Sequence, residues 1–115
     1  MRRDDLIRMR HMLDAAQKAI TFAVGKSRTD VARDPMLAYA LVRAVEVIGE
    51  AASKISRDSQ ERHNEIPWRQ VIGIRHRLIH GYDDINFDIL WETVTTALPP
   101  FVRTLEGIIG SDSEE

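Results

Sequence analysis

Along most of the chain, apolar residues recur three and four positions apart, the pattern of helices that pack by one face. Leu6, Met9, Leu13, Ala16, Ile20 and Ala23 form the first such row. Asp4 and Asp5 suit its first turn, where acids meet the positive end of the helix, and Gly25 is a natural stop. The polar stretch Lys26–Arg33 reads as a connection. Asp34-Pro35 then restarts a helix, with Asp as N-cap and Pro at the first helical position. Leu37, Leu41, Ala44, Val45, Ile48, Ala51, Ala52 and Ile55 give this second helix a broader apolar face, which predicts a central place in a bundle. Arg57–Glu65 is charged and aperiodic, and is expected to be a loop.

Pro67 opens a third predicted helix, running from Trp68 to about His80. Gly81 is expected to be the left-handed residue that closes it. Asn86 can cap a fourth helix carrying Leu90, Trp91, Val94 and Leu98. Pro99-Pro100 predicts a break or kink, because each proline lacks the N–H that a helix interior needs. A short fifth helix then carries Phe101, Leu105, Ile108 and Ile109. Trp68 and Trp91 fall among helical apolar positions and read as core, and no strand pattern stands out. The expected fold is all-α, an up-and-down bundle of four to five helices. Residues 1–110 form the single domain, and 111–115 form a disordered acidic tail.

Composition narrows the class. The chain has 115 residues, 43% of them apolar and 30% charged, which suits one globular domain. It has no cysteine, so disulfides, thiolate metal sites and a Cys nucleophile are excluded. The longest uncharged run, Thr93–Val102, is ten residues with two prolines; a membrane-spanning helix needs roughly 20 apolar residues. Arg2, Arg3, Asp4 and Asp5 have no apolar stretch behind them, so no secretory signal is expected. A cytoplasmic protein with no membrane contact follows as the default.

A net charge of −2 argues against a general basic nucleic-acid binder. Without the tail acids Asp112, Glu114 and Glu115, however, that charge becomes +1. Thirteen of the sixteen basic residues are arginine, the side chain suited to a planar, bidentate grip on carboxylate or phosphate.

The chemistry concentrates in Arg75-His76-Arg77-Leu78-Ile79-His80-Gly81-Tyr82. Metal-free cleavage of RNA asks little of a protein, because the ribose 2′-hydroxyl is the nucleophile. A histidine near neutral pKa can move the protons, and an arginine can meet the charge that develops on phosphorus. Arg75 and His80 supply one of each. On an ideal helix five residues rotate by about 140° and rise about 7.5 Å, so the two would not share a face. Arginine's long side chain narrows that gap, distortion before Gly81 could narrow it further, and a second subunit could also complete the site.

His76 and His80 stand four apart, a spacing that can hold a metal, but no Glu lies between them and the zinc-protease pattern is absent. His11 and His63 stand singly. Neither serine-nucleophile elbow nor phosphate-binding glycine loop is present. Gly49 and Gly73 sit inside predicted helices and suggest close helix–helix approach. Arg43, Glu46 and Glu50 share one face of the second helix, either as a solvated stripe or as a polar strip along a functional cleft.

Four blocks in order carry a family resemblance: Ile48-Gly49-Glu50-Ala51-Ala52, Glu65-Ile66-Pro67-Trp68, Arg75 to Tyr82, and Leu90-Trp91. Together they resemble the HepT-like branch of the HEPN superfamily, from the first helix to about Leu105. The defining element is Arg-x4-His, one residue, then Tyr, matched by Arg75, His80 and Tyr82. The resemblance implies a homodimeric helical bundle acting as a metal-independent endoribonuclease, the toxin of a type VII toxin–antitoxin pair, with no cofactor. It implies as partner an MntA-like nucleotidyltransferase antitoxin that silences the toxin by transferring AMP from ATP to the motif tyrosine.

Carried over, Arg75 stabilises phosphate, His80 is general acid or base, and Tyr82 accepts AMP. Arg77 adds charge for RNA, His76 has no settled role, and Glu46 and Glu50 are candidates to orient Arg75 or the histidines. The alternatives are a non-catalytic module that binds nucleotide or pairs with a nucleotidyltransferase, and a motif that is only a capped helix end.

Overall fold

The structure is a computed structural model that describes residues 1–81 and 84–113. The bundle is built on two long antiparallel helices, α1 (Arg3–Ala23) and α3 (Pro35–Ser53). Asp34 caps α3 as expected, accepting from the N–H groups of Met36 and Leu37 at 3.1 and 3.2 Å. The broad apolar face of α3 does lie at the centre: Leu41, Val45, Ile48 and Ala52 are buried against Met9, Met12, Ala16 and Ala19 of α1.

Two segments that lack periodicity are nonetheless helical. The expected connection Lys26–Arg33 contains α2 (Arg28–Arg33). Ser27 and Asp30 form a capping box there, each side chain accepting from the other's backbone N–H. The expected loop Arg57–Glu65 contains α4 (Arg57–Arg62), capped by Ser56. Both helices have six residues and one buried side chain each, Val31 and Ser59, so an apolar repeat never develops.

The predicted helix Trp68–His80 is three elements. One-turn helices α5 (Trp68–Ile72) and α6 (Ile74–Leu78) meet at Gly73, and Ile79 then turns extended. A two-residue antiparallel ladder follows, β1 (Ile79–His80) with β2 (Asp84–Ile85), pairing Ile79 with Ile85 and His80 with Asp84. Gly81 is left-handed, at φ +78°, but it follows β1 rather than the helix end. The β-branched pair Ile79 and Ile85 packs partly buried on the core, which favours the ladder over another helical turn.

Asn86 caps α7 (Phe87–Glu92) as predicted, accepting from Ile89 N–H at 3.0 Å. Of the break or kink predicted at Pro99-Pro100, no break occurs, and the irregularity in the helix lies just upstream. A π turn over Thr93–Ala97 leads without interruption into α8 (Leu98–Ser113), and Leu98 N–H reaches Thr93 O, five residues back. The wider turn absorbs the prolines' missing N–H groups. Thr93 and Thr95 side chains donate to the carbonyls of Ile89 and Trp91, both at 2.7 Å. Helix α8 runs through Ser111, Asp112 and Ser113, and the N-terminal ammonium donates to Asp112 Oδ1 at 3.2 Å. Glu114 and Glu115, the rest of the expected tail, lie outside the described residues. Trp68 and Trp91 are half-buried at the edge of the core, with Trp68 Nε1 donating to His63 O.

Two contacts fix the packing. Helices α5 and α6 approach α3 at Gly49, where a Cβ would lie 3.1 Å from Val71 O and 3.3 Å from Ile74 Cγ2. Asp5, 2% exposed, ties α1 to the cap of α4. It accepts from Ser56 N–H at 2.9 Å, Ser56 Oγ at 2.6 Å and Ser59 Oγ at 2.7 Å. Burial alone pushes this carboxyl up. The bonds from Ser56 and Ser59, helped by Arg2, outweigh that and hold it below its ordinary value.

Each contact makes a prediction. Gly49→Val adds a branched side chain where no space exists and costs about 1–3 kcal/mol, read by thermal unfolding. Asp5→Asn loses charged hydrogen bonds and costs about 1–3 kcal/mol near neutral pH. Because the folded pKa of Asp5 lies below the unfolded one, its contribution is complete above the unfolded value of about 3.9 and is lost as pH falls through the folded value. The Tm gap between Asp5→Asn and the natural protein therefore closes in acid; a gap independent of pH would contradict this.

Candidate functional site

The motif segment lies on the face of α3 that carries its polar residues. Gly49 allows α6 to lie close to α3, and Glu46, one turn before Gly49, meets the first residue of the motif. Arg75 Nε donates to Glu46 Oε2 at 2.8 Å. The Arg75 side chain is 59% exposed and that of Glu46 19%, so a half-buried acid holds a largely solvated guanidinium.

The two glutamates of α3 have separate partners. Glu50 accepts from Arg43 Nη1 at 3.2 Å, on the exposed surface of the same helix. Arg43 and Glu50 line an open groove between α1 and α3, together with Arg8, His11 and Lys54. Of the pair expected to orient the motif, only Glu46 meets it among the described residues.

The distance problem of an ideal helix does not arise in its original form. Helical geometry ends at Leu78, and Ile79 has φ −123° and ψ 124°. On an extended strand consecutive side chains point to opposite sides. Ile79 is accordingly half-buried on the core, and His80 is exposed. His76 and Arg77 are exposed too. Among the described residues, Arg77, His76 and His80 form no side-chain hydrogen bond or ion pair, and no hydrogen bond links Arg75 to His80. Tyr82 lies outside the described residues.

Arg77 turns to a different surface. It lines an apolar groove of about 340 Å³ whose walls include Val45, Ile48, Val71, Ile74 and Phe101. Two residues apart on one helical turn, Arg75 and Arg77 leave α6 on nearly opposite sides. Among the described residues, no group of three or more His, Asp or Glu is placed to hold a metal ion. None of the described helices is long and apolar enough to cross a membrane.

The site therefore offers an anchored guanidinium and exposed imidazoles on a helix end and the strand that follows it. Such groups can hold a phosphate and exchange protons with water or a sugar hydroxyl. Glu46 is the residue whose role spacing left unresolved: Arg75 lies 29 positions away from it, and nothing in either segment alone joins them.

Comparison with known proteins bears on the same segment. The family described as Ribonuclease HepT-like matches residues 12–108. "Putative RNase TTE0752" of Caldanaerobacter subterraneus subsp. tengcongensis is 34% identical over 101 residues, covering 88% of this chain and 90% of its own. "Putative RNase MJ1380" of Methanocaldococcus jannaschii is 33% identical over 95 residues, 83% of this chain and 87% of its own. "Probable ribonuclease HepT" of Thermococcus cleftensis is 41% identical over 66 residues, 57% of this chain and 60% of its own. No solved structure is matched. On a match that takes in the second half of α1, all of α3 and the whole Arg75–Tyr82 segment, this chain belongs to the HepT-like ribonuclease family.

Proposed function

We propose that the protein is the toxin of a type VII HepT/MntA-like toxin–antitoxin pair, a cytoplasmic endoribonuclease that cleaves RNA without a metal. The observation that carries the reading is membership of a ribonuclease family across residues 12–108. In this reading the 2′-hydroxyl of the substrate attacks the adjacent phosphorus and the 5′-oxygen leaves. His80 takes or gives the proton, and Arg75 binds the phosphate oxygens as charge builds on them. The exposure of both side chains leaves them open to a polymer in solution. His76 is exposed as well, and would assist proton transfer or only orient the substrate. Arg77 adds charge that draws RNA to this end of the bundle.

The active form is a homodimer in this proposal, and a row of side chains on α3 supports it. Met36, Tyr39, Arg43, Glu46 and Glu50 are spaced three and four apart and so share one face. Met36 is 83% exposed and Tyr39 66%, more apolar surface than a solvated helix requires. A second copy pairing along this row would bring two Arg75–Glu46 pairs to one cleft. The partner in the cell is a nucleotidyltransferase antitoxin, which would transfer AMP from ATP to the Tyr82 hydroxyl with loss of pyrophosphate. The added phosphate would then compete with RNA for Arg75.

Cleavage of a short single-stranded RNA in EDTA tests this reading. The natural protein is expected to cut, whereas Arg75→Ala and His80→Ala each lose about 100-fold or more in rate. Full activity in either variant, or activity that vanishes with EDTA and returns with a divalent ion, would overturn the mechanism.

A further inference from the structure

We infer that Glu46 is a positioning residue, which holds one edge of the Arg75 guanidinium so that the other edge meets the scissile phosphate. The inference rests on the reading of Arg75 as the phosphate ligand and concerns how that ligand is aimed.

The guanidinium is a planar fork of five N–H donors. Glu46 Oε2 takes Nε–H at 2.8 Å, the donor nearest the stem. The terminal nitrogens make no hydrogen bond or ion pair among the described residues. A phosphate can therefore bind across the two free ends without breaking the bond to Glu46.

The difference in burial says which partner directs the other. Glu46 has a short side chain on a 19-residue helix in the middle of the bundle, and it is the less exposed of the pair. Arg75 has a long side chain on a one-turn helix, and most of its surface is in water. Left alone, such an arginine samples many rotamers, and few of them point at a given phosphate. Anchoring Nε removes most of that freedom before substrate arrives.

Charge gives the second consequence. A carboxylate beside Arg75 cancels part of its long-range pull on phosphate. Glu46 thus weakens ground-state attraction to any polyanion while keeping the fork correctly placed for the transition state. Transition-state stabilisation without tight ground-state binding raises kcat rather than lowering KM. The packing at Gly49 makes this possible, since a side chain there would push Ile74, the neighbour of Arg75, off α3. Glu50 has no such role, because its partner is Arg43 on its own helix.

The test is steady-state cleavage of a short single-stranded RNA by the natural protein, Glu46→Ala, Glu46→Gln, Arg75→Ala and the double variant Glu46→Ala/Arg75→Ala. Glu46→Ala is expected to lower kcat about 10- to 100-fold, the cost of a misaimed ligand. KM should hold or fall, because a competing negative charge has gone. Glu46→Gln keeps an oxygen acceptor for Nε–H and should recover most of kcat. Adding Glu46→Ala to Arg75→Ala should cost nothing more, since Glu46 acts only through Arg75.

A readout that needs no activity accompanies it. The Arg75 Nε–H signal in a proton–nitrogen NMR spectrum should be protected from exchange in the natural protein and Glu46→Gln, and unprotected in Glu46→Ala. Unchanged kcat in Glu46→Ala with Arg75→Ala inactive would overturn the inference alone. So would a loss that adds to that of Arg75→Ala, or unaltered Nε–H protection in Glu46→Ala. Full activity in Arg75→Ala would instead overturn the reading on which it rests.

Discussion

The close approach of α5 and α6 to α3 at Gly49 sets the position of everything at the motif end of the bundle. One missing Cβ lets the carbonyl of Val71 and the side chain of Ile74 lie directly on the central helix. Ile74 and Leu78 can then be buried although each one-turn helix has little stability of its own. With Ile74 seated on α3, the next residue, Arg75, falls within reach of Glu46. The ladder of β1 and β2 completes the segment, and Asn86 N–H donates to Leu78 O at 2.8 Å, tying the return strand to the end of α6. Chemistry-bearing side chains thus stand on short, individually weak elements that are fixed by their contact with a rigid helix.

That arrangement changes the meaning of a net charge of −2. Part of the acid is spent locally. Asp112 meets the N-terminal ammonium, Asp88 meets Arg28, and Glu46 meets Arg75. Arg77 has no such partner among the described residues. Exposed pairs of this kind contribute little to stability, so their importance lies in where they leave charge uncompensated. A nearly neutral body with a small positive region should hold RNA through few phosphate contacts and show a shallow dependence on salt.

The long helices were legible in the sequence because their signals agree: the apolar period, Asp34-Pro35 at the start of α3, and Asn86 at the start of the continuous helical run from α7 through the π turn into α8. The short ones were not, since six residues with a single buried side chain carry no period. Their capping residues, Ser27 with Asp30 and Ser56 with Ser59, were the available signal. At Pro99-Pro100 the ordinary rule for prolines predicts a break, whereas a π turn upstream keeps the helix whole. At Ile79 a helical period continues on paper, because Ile74, Leu78 and Ile79 fit it. Pairing of Ile79 with Ile85 is a choice between strands that the helical period does not contain. The site divides in the same way. Arg75, His80 and Tyr82 were visible as a motif, while the choice of Glu46 rather than Glu50 depends on how two helices cross.

In the proposed reaction, proton transfer by His80 with Arg75 on the phosphate would leave a chemical record in the product. Attack by the 2′-hydroxyl without an activated water must first yield a cyclic ester, whereas attack by water from outside need not. Mass spectrometry of the RNA fragments released early in the reaction reads this directly. A 2′,3′-cyclic phosphate is expected on the upstream fragment and a free 5′-hydroxyl on the downstream one. Fragments ending in a 3′-hydroxyl, with a 5′-phosphate on their neighbours, would contradict it.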